Sequence, residues 1–173
     1  MKCISSDTNV WIDFKTIGKI EIPFRLPYTY IMSKYAIEDE LLSPPDLRES
    51  LLKNGLTPVE ITIDEFYLAE EYGQKYKRLS RYDRFALSIA KSRCIVLLSG
   101  DKALRNAAMQ EGVEVIGTLG IIDQLFEESL INEEEYKSCL IMFKEANGGI
   151  IRLPEKEIVK RLNSIIGIGR EDT

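Results

Sequence analysis

Four acidic residues stand in sequence contexts where carboxylates can do chemistry: Asp7 in Ser6-Asp7-Thr8-Asn9-Val10, Glu40 in Ala36-Ile37-Glu38-Asp39-Glu40-Leu41, Asp83 in Tyr82-Asp83-Arg84-Phe85-Ala86, and Asp101 in Leu98-Ser99-Gly100-Asp101-Lys102. Asp7 and Asp101 each follow a short apolar run and open a helical pattern, which puts them at the carboxyl edge where open α/β sheets hold their ligands. Advancing about 100° per residue places Glu40 within the arc of Ala36, Ile37 and Leu41, and Asp83 between Leu87 and Ala90. Glu38 and Asp39 fall outside the first arc; Arg84, Ser88 and Lys91 fall outside the second. An inward carboxylate is costly unless it is paired, protonated or bound to a cation. Hard divalent cations such as Mg²⁺ and Mn²⁺ prefer such oxygen ligands. Each acid also has a plain structural role open to it: Asp7 and Asp101 as helix N-caps, Asp83 as the partner of Ser80 in a capping box, and Glu40 in a buried salt bridge or at a frayed helix end.

The elements that must position these acids alternate between short apolar, β-branched runs and amphipathic helical stretches, the pattern of an α/β protein with a largely parallel sheet. Strands are expected at Lys2 to Ser6, Tyr28 to Met32, Pro58 to Thr62, Cys94 to Ser99 and Val113 to Ile116. The run Cys94-Ile95-Val96-Leu97-Leu98 is apolar on both parities, as in a strand covered on both faces, and is expected at the middle of the sheet. Helices are expected over Thr8 to Ile17, Ser33 to Leu42, Asp46 to Asn54, Asp64 to Tyr76, Arg81 to Ser92, Lys102 to Gln110 and Gly120 to Glu128. After Leu130 the pattern is purely helical: a helix from Asn132 or Glu133 to Ala146, a Gly148-Gly149 break, then a last helix from Pro154 through Leu162. Residues 1–130 therefore read as the main unit and 131–173 as a helical extension packed on the same domain. Parallel strands bring their carboxyl ends to one edge, so Asp7 and Asp101 should converge there, with Asp83 and Glu40 arriving on adjacent helices.

Composition narrows the chemistry further. The chain of 173 residues contains no histidine, which excludes Ser-His and Cys-His triads, paired-histidine ribonuclease mechanisms and histidine-ligated zinc. Its 28 acidic residues leave carboxylate-only metal chemistry available. Cys3, Cys94 and Cys139 are far apart and lack CxxC spacing, so neither a zinc site nor a disulfide framework is expected and a reducing cytoplasm fits. No apolar run is long enough for a membrane span, and acid interrupts the first residues before a signal-like stretch forms. A net charge of −5 opposes nonspecific phosphate attraction, so any nucleic-acid contact must come from local patches or a bound metal.

Taken together, Ser6-Asp7-Thr8-Asn9-Val10, Glu40-Leu41, Leu79-Ser80-Arg81-Tyr82-Asp83 leading into an Ala-rich helix, and Leu98-Ser99-Gly100-Asp101 resemble the PIN-domain family. The stretch from Gly112 to Ile121 is similar to the end of a bacterial and archaeal subgroup related to VapC-like toxin ribonucleases, which also carries helices after it. The resemblance implies a three-layer α/β/α fold and a metal-dependent endoribonuclease. Asp7, Glu40, Asp83 and Asp101 would hold one or two Mg²⁺ or Mn²⁺ ions, Thr8 and Asn9 would support the first acid, and Glu38 stands as the fallback for Glu40. It also implies RNA as substrate, a homodimer, and an antitoxin protein as partner if the chain is the toxin of a toxin-antitoxin pair. Many family members carry a further acid shortly after the fourth, whereas Leu104, Arg105 and Asn106 follow Asp101 here. Arg105 reads as a solvated helix charge, with contact to substrate phosphate as its other reading. The basic run Lys75, Lys77, Arg78, Arg81 and Arg84 is either a solvated face or a patch that steers RNA.

Two rival functions follow from the same residues. A phosphatase of the haloacid-dehalogenase type also begins on a strand-terminal Asp, but it needs a second Asp two residues later, where Asn9 stands. A catalytically silent PIN-like binding or scaffold module would keep the acids for structure alone, and acid-to-alanine changes would then leave its function intact.

Overall fold

A computed structural model describes residues 2–168, with the side chains of 167 and 168 left aside. Residue 1 and the last residues of the expected C-terminal extension, 169–173, lie outside the described residues. The described strands, β1 (Lys2–Ser6), β2 (Tyr28–Ser33), β3 (Thr57–Val59), β4 (Val96–Leu98) and β5 (Val115–Ile116), form one sheet in the order β3-β2-β1-β4-β5, with every pairing parallel. Ile4 of β1 lies between Tyr30 of β2 and Val96 of β4, which fixes the register of the centre. The middle strand is therefore β1. The apolar run expected there is β4, one place to the side; its burial on both faces comes from helices above and below, which an interior strand shares with the central one.

The helices are α1 (Thr8–Thr16), α2 (Lys34–Asp39), α3 (Leu47–Asn54), α4 (Ile63–Lys75), α5 (Arg81–Ser92), α6 (Lys102–Gln110), α7 (Thr118–Glu127), α8 (Glu133–Ala146) and α9 (Glu155–Ile168), with a 3-10 turn over Ile22–Arg25. They cover both faces of the sheet. On one face Ile4, Tyr30, Met32, Val96 and Leu98 meet α1, α2, α3, α7, α8 and α9; on the other, Leu97 meets α4, α5 and α6 through Tyr72, Leu87, Ala90 and Leu104. The alternation of Val96, Leu97 and Leu98 between the two cores is the two-residue period of a strand buried on both sides. The result is a three-layer α/β/α fold. Phe143, Ile151, Ile158 and Ile165 of the C-terminal segment belong to the same core as Trp11 and Phe14 of α1, and Phe14 meets Phe143 edge to face at 5.7 Å.

Several boundaries differ from those expected, each for a local reason. α2 stops at Asp39 and leaves Glu40 as its C-cap, because Ser43-Pro44-Pro45 follows and a residue before proline avoids helical geometry. β3 is short and ends at Val59; Thr62, expected as strand, caps α4 through a capping box with Glu65. Pro58 sits in that strand because β3 is at the sheet edge, where a missing N–H is tolerated. Cys94, expected to start β4, has φ +52 in the turn from α5, so the strand begins two residues later. α9 runs past Leu162 because Ile158 and Ile165 continue the buried stripe.

Candidate active site

The carboxyl ends of β1 and β4 lie side by side, and the backbone N–H of Asp7 donates to the carbonyl of Leu98 at 2.9 Å. Asp7 caps α1: one carboxylate oxygen accepts from the N–H of Thr8 at 2.7 Å and the other from the hydroxyl of Ser99 at 3.0 Å. Only 6% of the residue is exposed. Burial, then repulsion from Asp83 and more weakly Glu40, pushes its carboxyl up to about 7, against the two hydrogen bonds that favour the charged form. Ser99 itself accepts from the N–H of Asp101 at 3.1 Å, so a single buried hydroxyl ties the first acid to the loop that carries the fourth. Asp101 caps α6 by accepting from the N–H of Leu104 at 2.8 Å.

Glu40 accepts from the hydroxyl of Thr8 at 2.8 Å, which fixes it beside Asp7. Burial raises its pKa, and Asp83 and Asp39 add to the rise against the Thr8 hydrogen bond. Asp83 is half-buried at the start of α5, where it accepts from the N–H of Ser80 at 2.7 Å and completes the capping box. Its pKa is raised chiefly by burial and also by Asp101, while the Ser80 bonds and Arg84 pull it down. Asp83 is thus the link of the set: it repels Asp7 and Glu40 and is itself repelled by Asp101. Among the described residues none of them is in an ion pair.

Glu38 is exposed and acts on Lys34, and Asn9 is exposed at the mouth of the site beside Asp101. Thr8 supports two acids at once, Asp7 through its N–H and Glu40 through its hydroxyl. Most of the basic run around Asp83 is engaged elsewhere: Lys75 pairs with Glu111, Arg84 bonds the carbonyl of Ser80, and Arg81 lies over the rings of Tyr35 and Phe85. Arg105 departs from the expected solvated charge. It is half-buried and donates to the carbonyl of Ser99 at 3.0 Å.

Among the described residues no three acids converge on one point at coordinating distance. The reason is that each carboxylate is already anchored, Asp7, Asp83 and Asp101 on the helix starts they cap and Glu40 on the hydroxyl of Thr8, which leaves oxygens of different acids on neighbouring but separate anchors. The donor set nevertheless fits a hard cation. It is all oxygen, it is partly buried, and its mutual repulsion is uncompensated by any lysine or arginine ion pair among the described residues.

Two residues of this region escape motif reading. Ser99 is a buried polar residue at the end of an apolar run, detectable only as a break in that run. Asp13 is 7% exposed and accepts from the hydroxyl of Thr118 at 2.6 Å; burial pushes its carboxyl up to about 6 despite that bond. The same helical turning that singles out Glu40 and Asp83 places Asp13 on the arc of Val10, Phe14 and Ile17.

A parallel three-layer sheet whose carboxyl edge carries four uncompensated acids defines an acid-centred α/β protein. The chain belongs to the PIN-domain family: a family model described as PIN domain matches residues 3–165. PIN domains are generally metal-dependent nucleases. Neither the curated proteins nor the solved structures contain a match to this chain. Among the described residues no helix is long and apolar enough to cross a membrane.

Proposed function

We propose that the protein is a divalent-metal-dependent endoribonuclease whose site is Asp7, Glu40, Asp83 and Asp101. The observation that carries this reading is a set of four acids at the carboxyl edge with no ion-pair partner among the described residues, three of which, Asp7, Glu40 and Asp83, have their pKa raised by burial first and by a neighbouring acid of the set second. Asp7, Glu40, Asp83 and Asp101 would hold Mg²⁺ or Mn²⁺. When bound, the cation supplies charge stabilisation for in-line hydrolysis of a phosphodiester. The chain's own part is positional. Thr8 holds Asp7 and Glu40 together, and Ser99 holds Asp7 to the Asp101 loop. The Ser80 cap fixes Asp83 at the head of α5.

We further read residues 1–130 as the nuclease unit and 131–173 as its extension, with a cytoplasmic homodimer related to VapC-like toxins and an antitoxin as partner. A second reading, a catalytically silent PIN-like module, draws on the way Asp7, Asp83 and Asp101 already cap their own helices and Glu40 already accepts from Thr8.

One experiment separates them. Mn²⁺ and Mg²⁺ are titrated into purified protein while thermal stability and cleavage of a mixed RNA pool are followed, beside Asp7→Asn and Asp101→Asn. The nuclease reading expects metal-dependent cleavage that both variants lose while remaining folded. A wild-type protein that is neither stabilised nor active supports the silent module.

A further inference from the structure

The acids account for chemistry at one bond but leave open how a protein of net charge −5 holds a polyanion. A cleft beside Asp101 supplies the missing charge. One part of it is lined by Asn9, Asp13 and Asp101, and it continues, across Gly100, Lys102, Arg152 and Leu153, along α6 to Arg105 and Gly117. Its longer arm encloses about 920 Å³, within the range that buries a drug-sized ligand, which suits a nucleotide or two of a single strand rather than a duplex.

Beside the acids Asp13 and Asp101, the basic groups of this cleft fall into two kinds. Arg161 is neutralised by Asp123, at 2.7 Å, and by Glu157. Lys102 and Arg152 are exposed and have neither an ion pair nor a hydrogen-bond partner among the described residues. Arg105 spends one guanidinium nitrogen on the carbonyl of Ser99 and keeps the rest for the cleft. Its seat depends on Gly117, where a Cβ would come within 2.8 Å of the Arg105 guanidinium.

Arg152 is not on a loose tail. The side chain of Asn147 bonds both the N–H and the carbonyl of Leu153 at 2.9 Å, Gly148 takes φ +92 to close the turn, and Ile151 is fully buried in the main core. Two cations on α6 and one on this braced loop therefore face a shared cleft that opens at the fourth acid.

We propose that this cleft binds the backbone phosphates of a single-stranded nucleic acid through Lys102, Arg105 and Arg152, with the C-terminal extension forming one wall. The strand path rests on the nuclease reading in so far as it leads a scissile bond to Asp101. Guanidinium groups and a lysine suit phosphate oxygens and carry no base preference, so binding should be salt-sensitive and tolerant of sequence.

The test is fluorescence anisotropy of a short fluorescein-labelled oligouridylate against wild type, Lys102→Gln, Arg152→Gln and the double variant in EDTA at several KCl concentrations, with Lys137→Gln on α8 as an exposed control. Each cleft variant should weaken binding severalfold and lower the slope of log affinity against log salt by about 0.7, the release expected per single-strand phosphate contact. With Mn²⁺ present, KM should rise with kcat little changed. Equal affinity and equal salt slope in wild type, double variant and control would overturn the proposal. The two readings fail separately: cleft-dependent binding with no metal-dependent cleavage upholds the phosphate cleft and sinks the nuclease, whereas metal-dependent cleavage with unchanged binding and KM in the double variant does the reverse.

Discussion

Replacing Asp7 by Asn should stabilise the metal-free protein at and above neutral pH, whereas a residue serving only as a helix cap would give little change, because Asn caps about as well as Asp. The folded protein pushes the Asp7 carboxyl from 3.8 up to about 7, first through burial and then through Asp83. A carboxyl with a raised folded pKa contributes most below its unfolded value, where it is neutral in both states, and that contribution is lost as the pH rises toward 7. A rise of about three units corresponds to roughly 4 kcal/mol of penalty once the group is ionised. Asn keeps an oxygen for the N–H of Thr8 but meets Ser99 with an amide, so a net gain of about 2–4 kcal/mol is expected. Urea unfolding in EDTA should therefore give matching stabilities near about pH 4 and a gap that opens up to about pH 7 and then stays constant. Added Mn²⁺ should narrow the gap by up to roughly 2.7 kcal/mol at about a hundred times the wild-type Kd, since the variant has lost one ligand. A variant whose stability matches wild type at every pH, and that Mn²⁺ stabilises equally, would mean that Asp7 is only a cap.

Asp13→Asn should stabilise the protein by up to about 3 kcal/mol above pH 6 and by little below about pH 4, because burial raises that carboxyl to about 6 while the Thr118 hydrogen bond survives in the amide; urea midpoints across this range would show it, and a loss of stability at high pH would contradict it. Ser99→Ala removes the hydroxyl that joins Asp7 to the Asp101 loop, so metal affinity read by thermal shift should fall about 10–100-fold, the usual effect of losing a group that orients a ligand, with the fold kept. Arg93→Ala strips the nearly buried Glu65 of its bidentate partner, at 2.6 and 3.0 Å. Burial already works against that carboxylate, and the arginine and Thr62 bonds outweigh it. The loss should be about 2–4 kcal/mol by chemical denaturation, discounted because the arginine is partly exposed.

What sequence could and could not disclose divides along physical lines. α5 and α6 are readable to the residue, because a capping residue, an apolar stripe and a terminating turn all agree. The same turning that brings Asp83 inward also works for Glu40, even though α2 ends one residue before it, since a C-cap still carries helical backbone angles. The centre of the sheet is not readable, because burial on both faces marks any interior strand and strand order is a long-range property. Neither is the anchoring of the acids. Sequence places four carboxylates at one edge, but whether an oxygen points at a cation or at its own cap depends on hydroxyls such as Thr8 and Ser99, which reach across from other segments. Arg105 makes the same point for the cations: on helix periodicity it is an ordinary surface charge, and only the missing Cβ of Gly117 and the carbonyl of Ser99 turn it toward the cleft. Motif spacing therefore identifies which groups are available to a site, while their state of charge and direction are set by contacts between segments far apart in the chain.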